Sequence, residues 1–301
     1  MKRLSSYTPK SIKQDWKERI RSLARTAAEE AATRKSAEVA NGIHESLVRQ
    51  MEETNATLEQ WAAIWRHEGS WPPPPPKHLQ VRVVGSYVAG FIESGYSICQ
   101  DLGAALEPAG KRLADFSTIL DFGCGCGRVI RALKALLPAA DLYGTDIDAE
   151  AIAWLTANYR TFGTFAVAPH LPPLPYEDGM FDLVAGLSVF THLPEEMQFS
   201  WLSELRRITR PGGHLILSTH GEIHYGKFPP ELLEIMRTRG FYYSDFGFNY
   251  GKSISLPDFY QTSFHTHDYI RREWGKFFDV LDIQPVRLQQ HQDTVLLRHR
   301  A

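Results

Sequence analysis

The stretch Ile119-Leu-Asp-Phe-Gly-Cys-Gly-Cys-Gly-Arg128 constrains this chain more than any other. Its apolar start reads as the end of a buried strand, which Asp121 closes with an acid. Gly123, Gly125 and Gly127 then stand at every second position. Beyond them Val129, Ile130, Leu133, Leu136 and Leu137 recur at helical spacing until Pro138 stops the run. Strand, glycine turn and helix in that order make one unit of an α/β fold. Glycines in the turn let the backbone bend sharply and let a ligand come close. The dinucleotide fingerprint Gly-x-Gly-x-x-Gly would need glycine where Arg128 stands, so the spacing here is of another kind.

Further units follow in register. Asp141-Leu-Tyr-Gly-Thr-Asp146 reads as a second strand ending in acid. A carboxylate at that tip can accept from both hydroxyls of a ribose; the competing readings are another cap or a solvated turn acid. Asp148 reads as a plain Asx N-cap, because Ala151 at the capping-box position cannot reach back. Leu174–Val184 leads into a fourth strand, and Gly186–Pro194 follows as a loop. Met197, Trp201, Leu202, Leu205 and Ile208 form a helical stripe, which Arg210-Pro-Gly-Gly213 is expected to end. His214–Thr219 reads as the fifth strand and Asp293–Arg298 as the last.

This ordered set resembles the Rossmann-like (class I) S-adenosylmethionine-dependent methyltransferases over residues 79–301. The resemblance implies a doubly wound, seven-stranded, mostly parallel α/β sheet with an antiparallel final strand. It implies S-adenosylmethionine as cofactor, cradled by Asp121, Gly123, Cys124, Gly125 and Gly127, with Asp146 and Ile147 at the ribose and Leu187 and Ser188 lining the site. The family usually carries Asp or Asn near the adenine after the third strand. His170 stands there, so the backbone near His170 and Leu171 is the expected contact. Arg82 has two readings, a partner for the cofactor's carboxylate or a surface arginine. His192 and His220 follow the fourth and fifth strands and are the candidate catalytic bases; the alternative is that both only brace their loops.

The implied reaction is methyl transfer to an oxygen or nitrogen of a small molecule or saccharide. Protein or nucleic-acid acceptors, and a non-catalytic partner protein that keeps the fold, are the other readings. Leu187-Ser-Val-Phe190 stands where amino-methylating enzymes carry Asn/Asp-Pro-Pro-Tyr/Phe, which weakens DNA-adenine or glutamine methylation. A net charge of −2 gives no electrostatic footprint for nucleic acid. No apolar run approaches the ~18–20 residues of a membrane span, and the charged N-terminus lacks a secretion signal. With Cys99, Cys124 and Cys126 its only cysteines, the chain is expected to be cytoplasmic, without disulfides. Cys124-x-Cys126 has no further soft ligands beside it, so no metal is expected.

Residues 1–71 are read as a helical extension, 72–78 as a proline-rich linker and 79–301 as the methyltransferase domain. The extension is rich in helix formers from Ala24 to Ala40 and carries a stripe of Ile43, Leu47, Met51, Leu58, Trp61 and Trp65. Packing on its own core, a homodimer contact and a cover over the site remain open for it. Pro72–Pro76 favour an extended spacer. Val81–Ser86 is read as preceding a helix that holds Val88, Phe91 and Ile92. The segment at about 220–266, dense in aromatics and histidines, starts at a strand's carboxyl end. It is read as the substrate-shaping insertion or as a small aromatic core, and both can hold at once.

Overall fold

A strand buried on both faces must be apolar along its whole length, and Phe181-Asp-Leu-Val-Ala-Gly186 comes close to that limit. All six of its residues are buried. The computed structural model describes residues 18, 19, 21–23, 25, 70–84, 90–244, 257 and 259–300. The chain divides into two units, Met1–Pro72 and Pro73–Ala301. The apolar stripe of the extension, and with it the homodimer reading, lies outside the described residues, as do Val88, Phe246, Phe248 and Tyr250.

In the second unit, helices α1 (Lys77–Val84) and α2 (Phe91–Leu106) precede the sheet. Alternation then begins: β1 (Thr118–Phe122), α3 (Arg128–Leu136), β2 (Asp141–Asp146), α4 (Ala149–Asn158), β3 (Thr164–Val167), β4 (Phe181–Gly186), α5 (Glu195–Ile208) and β5 (Thr209–Thr219). An insertion carries α6 (Pro230–Arg239), β6 (Phe241–Ser244) and β7 (Thr262–His265). Helix α7 (His267–Glu273) and strands β8 (Asp279–Leu288) and β9 (Gln292–Arg298) close the chain.

The seven-stranded sheet runs β3-β2-β1-β4-β5-β9-β8, and β9 is antiparallel to both its neighbours. β6 and β7 pair separately. The chain winds outward from β1 to β3, then returns to lay β4 on the other side of β1. Ligands in such sheets sit outside the carboxyl ends of the strands at this reversal. One main core backs the sheet, with Phe181, Trp201, Leu205, Trp274 and Val295 among its buried members. Asp148 caps α4 as a plain Asx cap, accepting from the backbone N–H of Glu150 and Ala151 at 3.1 Å each.

Three local expectations are corrected. Lys77 and His78 belong to α1 and not to the linker, because the proline run ends at Pro76 and releases backbone donors: Leu79 and Gln80 N–H both bond the Pro76 carbonyl. Val81–Val84 is itself helical, and the next helix starts at Phe91. Helix α5 ends at Ile208, before the Pro-Gly pair, and Thr209 already pairs with Phe181 of β4 across an irregularity that runs to His214. Strand β8 leaves no clear signature in the sequence. Its alternation is broken by Pro285, and its register to β9 shifts twice.

Asp182 fixes where β1 begins. It is almost wholly buried, and its carboxylate accepts from Ser117 N, Ser117 Oγ and Thr118 N, each at 2.9 Å. Asp182→Ala leaves those donors without that acceptor and should cost about 2–4 kcal/mol, since stranded buried donors cost about 1–3 kcal/mol each and do not add fully. Urea unfolding checks this. A loss below about 0.5 kcal/mol would show that the pairing of β1 with β4 does not depend on the carboxylate.

Candidate functional site

At the carboxyl ends of β1 and β4 lies a cavity of about 760 Å³. Its size falls within the ~300–1,000 Å³ of small-molecule sites. One wall is the turn between β1 and α3. Gly123, Gly125 and Gly127 have φ of 82°, 53° and 84°, the left-handed region that favours glycine. A Cβ on Gly123 would overlap Val189, and one on Gly125 would stand 2.6 Å from Val83 of α1. Gly127 does not line the cavity. A Cβ there would stand 2.5 Å from Leu155, so this glycine lets α3 seat against α4. Its expected cofactor contact is thus corrected to a packing role.

The turn is held by Asp146 at the end of β2. Its Oδ2 accepts from Gly125 N–H at 2.7 Å and its Oδ1 from Asp148 N–H at 2.9 Å. Burial raises its pKa, against the pull of those N–H bonds. Asp121 lies deeper, at 2 % exposure. Burial first, then the neighbouring Asp146 charge, push its carboxyl up to about 7, against a smaller lowering by Arg128. Three buried polar atoms of cavity-lining residues have no hydrogen-bond partner: Asp121 Oδ2, Arg128 Nε and Thr145 Oγ1. Natural structures rarely leave such atoms orphaned, and their donors and acceptors fit a polar ligand in this cavity.

Ile147, Leu187, Ser188, Cys124 and His170 also line the cavity. Ser188 adopts φ 55°, unusual for a residue with a side chain. Its N–H bonds Ser218 Oγ at 2.7 Å and its hydroxyl meets the Gln292 amide at 3.0 Å. Leu171 is 54 % exposed and is not among the residues that line this cavity, which corrects the contact expected of it. The Cys124 and Cys126 thiols are buried, and desolvation raises both pKa values.

Arg82 lines the same cavity, with its charge already met by two protein carboxylates. It lies in α1 and pairs with Asp148 at 2.9 Å and Glu150 at 2.5 Å, which raise its pKa. Its charge is spent tying α1 to the start of α4. The arginine with an unmet donor is Arg128, which sequence reasoning used only to exclude another loop type. Its position directly after the third glycine was the available signal.

Neither candidate base lines the cavity. His192 is buried behind it, with Nδ1 2.6 Å from the Gln261 carbonyl oxygen and its ring flat against Tyr260 at 4.1 Å. Burial pushes its pKa down to about 4. His220 sits behind it, 6.2 Å away ring to ring, with Nδ1 3.2 Å from the Ser263 carbonyl oxygen and its pKa pushed down to about 2 by burial. Both are neutral at pH 7 and brace the insertion, so their expected place at the reacting atoms is corrected. The insertion divides its aromatics. Phe228 and Phe264 close a small core with Leu232 and Met236, while Phe259 and Tyr260 face the cavity.

Residues 119–213 match the family model described as a methyltransferase domain. The chain is 31 % identical over 101 residues to the malonyl-[acyl-carrier protein] O-methyltransferase of Hahella chejuensis, covering 34 % of this chain and 36 % of that protein. It is 28 % identical over 172 residues to the chloroplastic tocopherol O-methyltransferase of Arabidopsis thaliana, 55 % of this chain and 47 % of that one. The chain thus spans about half or less of the length of these relatives. A solved SAM-dependent methyltransferase structure from Methanosarcina mazei aligns over 61 % of this chain and 92 % of that one, at 19 % identity and a TM-score of 0.42. Among the described residues no helix is long and apolar enough to cross a membrane.

The buried histidines set an acid limit on the fold. His265 is fully buried, with Nε2 2.9 Å from Gln198 Oε1, and burial pushes its pKa down to about 3. An unfolded chain protonates it near 6.5, so its stabilisation is complete above pH 6.5 and is lost as pH falls toward 3. His192 and His220 act in the same direction. Asp121, Asp146 and His267, whose pKa values are raised, act in the other. Each uncompensated proton is worth about 1.4 kcal/mol per pH unit. His265→Gln, which cannot take that proton, should lose less stability than the parent between pH 6.5 and 5 in urea titrations. Parallel profiles would contradict the buried neutral assignment.

Proposed function

We propose that this chain, a class I S-adenosylmethionine-dependent methyltransferase by its domain at residues 119–213, methylates an oxygen or nitrogen of a small molecule. The observation that carries this is the trio of orphaned polar atoms on Asp121, Arg128 and Thr145 in one cavity. The cofactor carries an ammonium, a carboxylate and a ribose, which are the groups such atoms can pair. The Asp121 carboxylate accepts from the ammonium, Arg128 donates to the carboxylate, and Asp146 faces the ribose with the lone pairs its two backbone bonds leave over.

When bound, S-adenosylmethionine supplies a methyl carbon to the acceptor's lone pair, the carbon–sulfur electrons staying on sulfur and the acceptor's proton passing to water. The chain itself contributes position and dryness. Asp146 holds the glycine turn in place, Val83 and Val189 close over it, and Trp201 and Leu193 keep water from the deep end. No side chain that titrates near neutrality has been placed at the reacting atoms from the fourth- or fifth-strand histidines, so the reading rests on proximity and not on a histidine base. The relatives named above act on a carrier-protein-bound malonyl group and on tocopherol. A net charge of −2 favours a small acceptor over a polyanion for this chain.

Calorimetric titration tests the cofactor half of this reading. The parent should bind S-adenosylmethionine at one site. Asp146→Ala and Arg128→Ala should each weaken it roughly ten- to a hundredfold, the equivalent of one charged hydrogen bond of about 1.5–3 kcal/mol. Arg82→Ala should change affinity far less, because its charge is already paired. No binding by the parent, or a greater loss at Arg82 than at Arg128, would overturn it.

A further inference from the structure

The charges around the cavity are unevenly placed. Every carboxylate, arginine and lysine among its described lining residues lies on α1, at the carboxyl ends of β1 and β2, or in the turns and helix starts that follow them. The opposite side, built from the turn after β4, the insertion and the end of β8, carries none. It offers Val189, Leu193, Phe259, Tyr260 and Leu288, with Ser188 and Gln289 as its polar members.

The aromatic members are fixed in place before any acceptor arrives. Tyr260 lies flat on His192, at an interplanar angle of 17°, and His192 is held by the Gln261 carbonyl. Phe259 meets the His170 ring edge-on at 5.3 Å, and its carbonyl accepts from the Tyr243 hydroxyl at 2.6 Å. Rings already immobilised lose little rotamer freedom on binding. This gives the two buried or braced histidines a role that does not involve proton transfer.

From this placement we infer that the acceptor is an uncharged, flat aromatic compound bearing the hydroxyl or amino group to be methylated, seated against Tyr260 and Phe259. The inference rests on the methyltransferase reading above. A carboxylate- or phosphate-bearing acceptor would find no cation on this side among the described residues. A saccharide presents hydroxyls around its whole ring, and the Ser188, Gln289 and Tyr260 side chains are too few to satisfy them once water is excluded. A single acceptor group needs only one partner, and the Ser188 hydroxyl, oriented by Gln292, faces the cavity to provide it. An aromatic face gains from the rings beyond its buried area.

The test uses the full chain saturated with S-adenosylhomocysteine, whose own binding is confirmed first by calorimetry. Into that complex 2-naphthol, cyclohexanol, methyl glucoside and 2-naphthoate are titrated, and binding is followed by calorimetry. 2-Naphthol should bind saturably, at least about tenfold tighter than the other three. Tyr260→Ala should weaken 2-naphthol roughly tenfold or more, Tyr260→Phe should retain most of its affinity, and neither should shift S-adenosylhomocysteine binding. Equal or tighter binding of the glucoside or the naphthoate, no binding of 2-naphthol to the loaded protein, or indifference to Tyr260→Ala would overturn the acceptor assignment while leaving the cofactor reading intact. Failure of S-adenosylhomocysteine to bind would overturn the cofactor reading and this one with it.

Discussion

The bond from Gly125 N–H to the Asp146 carboxylate, 2.7 Å long, joins two separate βα units where both line the cavity. It adds a side-chain anchor to a turn that Gly123 and Cys124 N–H already tie to the Thr145 carbonyl at 2.8 and 2.9 Å. Together these bonds hold the turn as a cradle whose wall is backbone. The bond also keeps the Asp146 carboxylate in a site from which water is largely removed. Asp146 in turn raises the pKa of Asp121 by its charge, on top of the larger effect of burial. The electrostatics of the cavity therefore follow from a contact that first serves the fold.

The three glycines of the turn share a backbone conformation but answer different neighbours. Gly123 and Gly125 leave room for Val189 and Val83, which approach from the turn after β4 and from α1. Gly127 leaves room for Leu155, and so decides how closely α3 lies against α4. The regular spacing thus serves one ligand-facing wall and one helix contact. α1 depends on that wall as well, since the apolar Val83 stands over Gly125 while Arg82, one residue before, pairs with Asp148 and Glu150.

Much of this architecture was legible in the sequence. Asp121, the glycines and Asp146 announce themselves by order, because local turn chemistry and strand polarity are written within a few residues. The seven-stranded sheet with its antiparallel last strand was what the family resemblance implied, and the structure has it. What stayed hidden depends on contacts between distant segments. Arg82 meets Asp148 across 66 positions, and nothing local to either residue says so. His192 and His220 look like bases because histidine titrates near neutrality, but their burial against Tyr260, Ser263 and Gln261 is set by an insertion that returns to the sheet much later in the chain. Leu171 turns outward and Gly127 turns to a helix for the same reason: the facing direction of a residue is a property of the packed fold. Strand β8 escaped because a proline and two register shifts interrupt the alternation by which strands are read.

In the proposed cofactor site Asp121 is a buried carboxyl whose pKa of about 7 leaves it about half protonated at pH 7, and a cationic group bound beside it would displace that proton. An acid with a folded pKa of about 7 must release its proton when an ammonium binds beside it at lower pH, and has none to release once it is already ionised. Calorimetry of S-adenosylmethionine binding in buffers of different ionisation enthalpy reads that proton directly. The account predicts release approaching one proton per site at pH 6, falling away by pH 8, with the release abolished in Asp121→Asn. Binding that releases no proton at pH 6, or a release unchanged in Asp121→Asn, would contradict it.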